Sequence, residues 1–325
     1  MKKAIVISGG GSKGAWALGF LSRKQKLDFN YSNNYSYYVG TSAGALVATA
    51  MAVNKLEEAS KLFVSLSNKD IYKVCPFKIK SRKKLGEYDY NFNVLNILYN
   101  FYIRNQSTFG DSSKAIDLIK KIYTEIDHNI LKKSEKELIV SVVNINTQTS
   151  KFVSNRDYDY ETFVKYIFAS TCAAPIMSMI EIDGEQYVDG GLLESVPINA
   201  IINKDDISEI DVLNLNTNES KNIWINNPLK FISTYIDMFL NQSNSDDIII
   251  GYLKSSMKNI KLNVFQPSLK LTDSPFIFIP EDLKNFYIIG ETDALLLQTG
   301  LLSFKEFSFD AQNYSFNIKN KTNLS

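Results

Sequence analysis

The stretch Tyr-Tyr-Val-Gly-Thr-Ser-Ala-Gly at residues 37–44 runs from a short apolar strand directly into a Gly-x-Ser-x-Gly pentapeptide. Residues 45–53, which follow, are rich in alanine and contain leucine and methionine, so they favour a helix. Between a strand and a helix, such a pentapeptide can form a nucleophile elbow, because small residues let the chain turn sharply and expose the serine oxygen. The pattern predicts Ser42 as a nucleophile, with a purely structural tight turn as the alternative.

A second unit of strand, glycine loop and helix opens the chain. Residues 4–8 are apolar, residues 9–14 read Gly-Gly-Gly-Ser-Lys-Gly, and residues 15–21 carry apolar side chains at helical spacing. The loop fits the G-x-G-x-x-G pattern of dinucleotide-binding proteins, and Asp28 has the spacing of a ribose ligand. However, residues 22–27 do not form the apolar second strand that this interpretation requires. A P-loop is excluded, because no Gly-Lys-Ser/Thr ends the loop.

The same loop can instead form an oxyanion hole. Bare glycine amides at a helix N-terminus point at the negatively charged oxygen of a tetrahedral intermediate, and the helix dipole favours the same charge. Lys13 would then orient the loop or approach an anionic head group, and the alternative is a solvated lysine on the surface.

A serine nucleophile needs a base, which is usually a histidine held by an acid. His128, the one histidine, lies in a polar helix end and precedes every suitable acid, so we interpret it as a surface residue. A carboxylate can replace the histidine if it lies within hydrogen-bond reach of the serine. Asp189 is the candidate, because it ends a predicted strand and the glycines after it let the backbone pack closely against the elbow. Asp-Gly-Gly is also a common turn.

Strands and helices alternate along the rest of the chain. We predict strands at 138–145, 151–154, 180–182, 186–188, 210–215 and 260–265, helices at 94–103, 111–126 and 161–170, and a last helix before Thr299. Residues 180–188 form a hairpin around the turn Asp183-Gly184. Residues 69–110, rich in tyrosine, asparagine and lysine, are interpreted as an insertion or lid. The alternation predicts an α/β fold with three layers, α/β/α, around a largely parallel sheet.

The glycine loop, Gly-x-Ser-x-Gly and Asp-Gly-Gly, in this order, resemble the patatin-like phospholipase family. The similarity extends to Ala-Ser-Thr-Cys-Ala-Ala-Pro at 169–175, Ile-Asp-Gly at 182–184, Tyr-Val-Asp-Gly-Gly at 187–191 and Val-Pro-Ile at 196–198. It covers residues 3–216, which we predict to be a patatin-like catalytic domain. Residues 217–325 match only loosely and are predicted to be an extension of helices and strands packed on the same domain.

The resemblance implies a patatin-like fold and hydrolysis of fatty acyl esters of lipids or phospholipids by a Ser-Asp dyad, without a metal or cofactor. On this basis Ser42 is the nucleophile, Asp189 is the base, and Gly10 and Gly11 are the oxyanion donors. The residues that support these motifs are Gly9, Ser12, Lys13, Gly14, Gly40, Gly44, Gly190 and Gly191.

Two residues depart from the family's pattern. Lys13 stands where arginine is more frequent, which keeps the charge but loses the planar fork. Ser195 stands where asparagine is frequent, so a supporting hydrogen bond would differ. Neither departure removes a reacting group.

Composition and charge limit the partners and the location. The chain has 36 basic and 35 acidic residues, so its overall charge favours no nucleic acid, and no feature predicts an oligomeric state. Its 2 cysteines are too few for a disulfide framework and lack metal-ligand spacing. The first apolar run is too short for a signal peptide, and residues 166–180 are too short to span a membrane. We therefore expect a cytoplasmic protein whose membrane contact is at most peripheral.

The basic run Phe-Lys-Ile-Lys-Ser-Arg-Lys-Lys at 77–84 is a candidate surface for anionic head groups, although most charge runs are merely solvated. Trp16 and the tyrosine-rich stretch 88–102 would line an acyl groove or pack in the core. Two other functions remain open. One is a lipid- or nucleotide-binding module without turnover, against which the presence of both Ser42 and Asp189 argues. The other is a short-chain esterase or an acyltransferase with the same dyad.

Overall fold

The structure is a computed structural model that describes residues 2–204, 206–217, 225, 228–310 and 315–321. Its strands are β1 (Lys2–Ile7), β2 (Tyr37–Thr41), β3 (Phe77–Lys84), β4 (Glu87–Phe92), β5 (Glu137–Asn144), β6 (Thr149–Ser154), β7 (Ile180–Ile182), β8 (Glu185–Asp189), β9 (Ile207–Leu213), β10 (Lys261–Phe265), β11 (Phe304–Asp310) and β12 (Ser315–Lys321). Its α-helices are α1 (Gly14–Leu27), α2 (Ala43–Ala52), α3 (Leu56–Phe63), α4 (Asn68–Ile71), α5 (Val94–Leu98), α6 (Ala115–Ile122), α7 (Glu125–Lys133), α8 (Tyr160–Ser170), α9 (Pro228–Met257) and α10 (Pro280–Gln298).

Among the described residues, every strand except β3 and β4 joins one sheet. The strand order is β12-β11-β10-β9-β1-β2-β5-β8-β7, and β6 also pairs with β5. The central strands β10, β9, β1, β2 and β5 run parallel, and the strands beyond them on both sides pair antiparallel. This arrangement confirms the predicted α/β fold with a largely parallel central sheet.

The central strands are apolar on both faces, as expected for a parallel sheet that is covered on both sides. In β1, Ile5 and Ile7 pack into one core cluster, whereas Ala4 and Val6 pack into another. The first cluster contains apolar side chains of α1, α2, α8 and α10, and the second contains those of residues 196–202 and of α9. Two cores separated by a sheet make three layers.

The parallel pairing of β1 and β2 brings the two glycine-rich motifs together. Ile7 at the end of β1 lies opposite Gly40 in β2, so residues 8–14 and 41–44 emerge side by side at one edge of the sheet. The end of β8 reaches the same region, because Asp189 lies opposite Val142 in β5. Ligand sites of open α/β sheets lie at this carboxyl edge.

The predicted hairpin at 180–188 is confirmed as β7 and β8, with Asp183 and Gly184 at φ +54° and +81° in its turn. The strand pair at 138–145 and 151–154 is confirmed as well. The helix predicted at 111–126 is wrong in its extent, because Thr124 accepts a hydrogen bond from the Asp127 amide and starts a second helix there.

Two hairpins were not predicted from the sequence. β3 and β4 form a separate two-stranded sheet within residues 69–110, and β11 and β12 extend the main sheet beyond β10. The predicted helix at 94–103 is confirmed as α5 followed by one turn of π-helix. Within the extension predicted at 217–325, residues 218–224, 226–227, 311–314 and 322–325 lie outside the described residues.

Candidate active site

Ser42 lies at the turn between β2 and α2, in a strained backbone conformation. Its φ of +56° is in a region that residues other than glycine rarely adopt. Glycines make the turn fit: a Cβ at Gly40 would lie 2.3 Å from the carbonyl oxygen of Gly44, and a Cβ at Gly44 would lie 2.3 Å from that of Ile7. The Ser42 amide donates to Oγ of Ser170 at 2.9 Å. The turn is therefore fixed from both sides, as a nucleophile elbow requires.

Asp189 is buried at the end of β8, where its carboxylate interacts with the Ser42 side chain. The Gly191 amide donates to its Oδ1 at 2.8 Å. Gly190 fits the turn because a Cβ there would lie 2.4 Å from the carbonyl oxygen of Ser141. Burial raises the pKa of Asp189 to about 7, although hydrogen bonding by Ser42 and by the Gly191 amide acts in the opposite direction. This carboxyl group therefore gains and loses its proton near neutral pH.

The glycine loop lies against the elbow at the N-terminus of α1. A Cβ at Gly9 would lie 3.4 Å from Cβ of Ser42. The Gly9 amide donates to the Ser195 carbonyl at 3.0 Å, and the Ser12 amide donates to the Pro275 carbonyl at 2.8 Å. Between them, the amides of Gly10 and Gly11 donate to no acceptor within the part of the chain that the structure describes. Two amides are thus available beside Ser42, at the positive end of a helix dipole.

The sequence model of patatin-like phospholipases matches residues 5–202, which is more than half of the chain. The chain belongs to the patatin-like phospholipase family. Membership implies a lipid hydrolase with lipid substrates.

Two further proteins are similar to this chain. The uncharacterized protein R571 of Acanthamoeba polyphaga mimivirus is 24% identical over 289 residues, which cover 85% of this chain and 90% of that protein. The crystal structure of VipD from Legionella pneumophila aligns with 95% of this chain and 68% of its own, with a TM-score of 0.49 and 14% sequence identity.

Two pockets meet at Ser42 in this patatin-like structure. The wider one measures about 430 Å³ and is lined by the glycine loop, Asp189, Lys13 and the segment around Pro175. The narrower one measures about 90 Å³ and is lined mostly by apolar side chains, many of them from α2, α3 and α6. Gly11, Ser42 and Phe276 line both pockets, so the serine lies where the two pockets join, and Lys13 and Asp189 line only the wider one.

Lys13 is buried, with only 6% of its surface exposed, so the interpretation as a solvated surface lysine is wrong. Its ammonium group donates to Oδ1 of Asn216 at 2.5 Å and lines the wider pocket. A cation held beside the glycine amides increases the positive potential at the position where an oxyanion would form.

The other candidates from the sequence lie elsewhere. His128 is buried rather than exposed, which corrects the surface interpretation: its Nδ1 lies 2.8 Å from Oη of Tyr123, within an aromatic cluster of Tyr123, Tyr160 and Phe163. Burial lowers its pKa, and it lines neither pocket at Ser42. Asp28 follows the end of α1 and accepts from the Asn30 amide at 3.0 Å. The helix α1, and not a strand, comes directly before Asp28, so the dinucleotide interpretation lacks its second strand in the structure as well.

Three residues that support the site were not predicted from the sequence, and each lies in the C-terminal third of the chain or at its border. Asn216 holds Lys13, the Pro275 carbonyl holds the Ser12 amide, and Asp247 of α9 accepts from the Val196 amide at 2.9 Å. Burial raises the pKa of Asp247 to about 7 as well. These are ordinary residue types without a motif, and no sequence signal would have identified them.

Metal-ligand clusters and membrane-spanning helices are absent from the described residues. No three His, Cys, Asp or Glu side chains among them are grouped so that they could hold a metal ion. None of the helices they form combines the length and the hydropathy needed to cross a bilayer.

Proposed function

We propose that this chain is a carboxylic ester hydrolase that cleaves fatty acyl esters of lipids or phospholipids through a Ser42–Asp189 dyad and an acyl-enzyme. The observation that carries the proposal is the buried Asp189 carboxyl group, which interacts with Ser42 and has a pKa of about 7. A general base is most effective when its pKa is near the working pH. Family membership supports the lipid substrate.

The reaction proceeds in two steps. Oγ of Ser42 attacks the ester carbonyl carbon while Asp189 accepts the hydroxyl proton, and the amides of Gly10 and Gly11 stabilise the oxyanion. The bond between the acyl carbon and the alcohol oxygen then breaks, and the alcohol or lysolipid leaves with the proton from Asp189. Water next attacks the acyl-enzyme and gives a proton to Asp189, the fatty acid departs, and the proton returns to Ser42.

The two pockets suggest how a lipid would bind. The narrow apolar pocket suits the acyl chain, because burying each methylene group contributes about 0.8 kcal/mol. The wider pocket holds the leaving alcohol, with Lys13 near an anionic head group. A lipid must be reached at an interface, so we include peripheral membrane contact in the proposed function.

The test measures hydrolysis of a series of para-nitrophenyl acyl esters and of phospholipid vesicles by the whole chain. We expect Ser42→Ala and Asp189→Asn each to lower kcat by about 10⁴-fold or more. The two residues act as one catalytic unit, so removing either one should cost about as much as removing both. Mass spectrometry of the protein quenched during turnover should find the acyl group on the peptide that contains Ser42.

Matched controls separate catalysis from folding. Asp183→Asn changes an exposed aspartate in the hairpin turn that leads to Asp189, and asparagine tolerates its positive φ. His128→Gln changes the histidine outside the pockets. Both variants should keep full activity, and unchanged activity of Ser42→Ala would refute the proposed mechanism. A native chain that binds lipid but hydrolyses none of these esters would instead indicate a binding module.

A further inference from the structure

Residues 94–103 form a helical segment whose polarity is the inverse of that of an ordinary surface helix. A surface helix normally turns its apolar side chains to the core. Here the apolar side chains point to solvent, and we call them the apolar helix face: Val94, Leu95, Leu98, Tyr99, Tyr102 and Ile103. Leu95 and Tyr102 are each 80% exposed, and Ile103 is 72% exposed. Single exposed apolar residues are normal, but six on one segment mark an interaction site.

Polar side chains hold the inner side of the same segment. Asn100 is fully buried and donates to the Thr108 carbonyl at 2.8 Å, and Asn96 donates to the Cys75 carbonyl at 2.9 Å. Arg104, at its end, pairs with the buried Asp111. These contacts fix the rotation of the helix, so its apolar side chains stay on the outside.

The segment is attached to the wall of the wider pocket. The ring of Phe101 lies 6.0 Å from that of Phe109, whose amide donates to the Pro175 carbonyl at 2.8 Å. Pro175 lines the wider pocket together with Leu192 and Tyr235, which are themselves 40% and 63% exposed. Exposed apolar side chains therefore occur both on the helix and at the pocket.

Basic residues lie next to the start of the helix. The Asn93 amide donates to the Pro76 carbonyl at 2.8 Å, which brings the helix start beside the start of β3. Lys78 and Lys80 are exposed there at alternate positions of the strand. The rest of the basic run contributes less, because Arg82 pairs with Glu281 and Asp282, Lys84 pairs with Glu87, and the side chain of Lys83 lies outside the described part.

We propose that the apolar helix face, with Lys78 and Lys80, docks the protein on an anionic lipid bilayer. The inference rests on the proposed function for its lipid substrate and adds the surface by which that substrate is reached. Apolar and tyrosine side chains suit the boundary between head groups and acyl chains, and lysines suit anionic head groups. The face differs from the predicted basic run in that its apolar residues, rather than its charges, supply most of the contact.

The test compares Leu95→Gln/Tyr102→Gln/Ile103→Gln with a control that removes equally exposed apolar residues elsewhere, Phe29→Gln/Ile126→Gln/Leu301→Gln. Binding to vesicles of phosphatidylcholine, with and without phosphatidylglycerol, is measured by flotation on a Ser42→Ala background, so that it does not depend on turnover. We expect the first triple variant to lose about tenfold or more in binding and the control triple to bind normally. Lys78→Gln/Lys80→Gln should lose only the part that depends on phosphatidylglycerol, about fivefold per lysine.

The same variants with Ser42 intact are assayed on a soluble short-chain ester and on vesicles. We expect the first triple variant to keep full activity on the soluble ester and to lose activity only on vesicles. Normal vesicle binding by that variant would overturn the docking surface, and so would a dimer of the native chain, seen by light scattering, that the triple substitution dissociates. If the native chain binds vesicles but cleaves no ester, the proposed function fails while the docking surface stands.

Discussion

Residues 5–202, which the family model covers, and the described residues after 202 contribute to the candidate site in different ways. The first region contains Ser42, Asp189 and the glycine loop, and the elbow is held by contacts within that region, to Ile7 and Ser170. The second region supplies none of the proposed reacting groups. At the candidate site, its hydrogen bonds reach the glycine loop and the segment that supports the loop.

Each of these contacts acts on a different part of the loop. Pro275 accepts from the Ser12 amide, and Asn216 accepts from Lys13. Asp247 accepts from the Val196 amide, next to Ser195, whose carbonyl accepts from Gly9. The proposed nucleophile and base are therefore positioned locally, whereas the proposed oxyanion donors depend on contacts with the C-terminal third. Substitutions at these contacts should therefore lower kcat with little effect on KM, since the oxyanion forms only during the reaction.

Gly11→Ala is expected to have the largest effect of the substitutions at this boundary. Gly11 has a φ of +55°, and a Cβ there would lie 2.3 Å from the Pro275 carbonyl oxygen. Either the loop or the Pro275 segment must move, so we expect kcat to fall by about 10²- to 10³-fold, as when an oxyanion donor is lost. Steady-state kinetics on a soluble ester, together with thermal unfolding, measures the effect.

The matched control is Gly184→Ala, at another glycine with positive φ but with no atom within 4 Å of the added Cβ. This variant should lose about 1 kcal/mol of stability and no activity. A Gly11→Ala enzyme with normal kcat would show that the close contact between the glycine loop and Pro275 does not shape the oxyanion hole.

The pH dependence of activity distinguishes the two regions through one buried carboxyl group in each, Asp189 and Asp247. Asp189 must be ionised to accept a proton, and its pKa is about 7, so kcat/KM should fall by about tenfold per pH unit below pH 7. Asp247 also has a pKa of about 7, yet it only holds the backbone. Asp247→Asn should therefore show the same fall in kcat/KM below pH 7. If that fall disappears in this variant, the carboxyl group that controls activity is Asp247 and not Asp189.

The same shift predicts a pH dependence of stability. Asp189 has an ordinary pKa of 3.8 in the unfolded chain and a pKa of about 7 in the folded protein. The folded state therefore binds the proton more tightly, and the contribution of this group to the free energy of unfolding is full below pH 3.8 and is lost as the pH rises through 7. Denaturant unfolding from pH 4 to pH 8 should show Asp189→Asn to be less sensitive to pH than the native chain.

The sequence predicted the parts of the fold and of the site that depend on local patterns. The elbow, the strand before Asp189 and the turn Asp183-Gly184 are each specified by glycines or by apolar residues within a few positions. Family resemblance then connected Ser42 with Asp189. The alternation of strands and helices predicted the fold class but not the order of the strands in the sheet, because the pairing of distant strands leaves no local signal.

The remaining features depend on contacts between distant residues. Apolar or aromatic residues alternate with polar ones in β4 and at the start of β3, but they lie in a stretch rich in tyrosine, asparagine and lysine, so the hairpin was interpreted only as part of an insertion. The inward direction of Asn96 and Asn100 could not be read from a helix whose other residues are apolar or aromatic. Lys13 and Asn216 lie 203 positions apart, so the burial of this lysine became evident only in the structure.

Asp247→Ala is expected to have the smallest effect, because it acts on the loop through two intervening residues. Removing the acceptor leaves the buried Val196 amide unpaired, which loosens the Ser195 carbonyl that holds Gly9. We expect kcat to fall by about fivefold with KM unchanged, and Asp247→Asn, which retains an acceptor oxygen, to restore most of it. Asp246→Ala is the control, since Asp246 is exposed and its carboxylate accepts a hydrogen bond from Gln242 of the same helix. Equal losses in both aspartate-to-alanine variants would mean that α9 supports the site through its general packing and not through the bond to Val196.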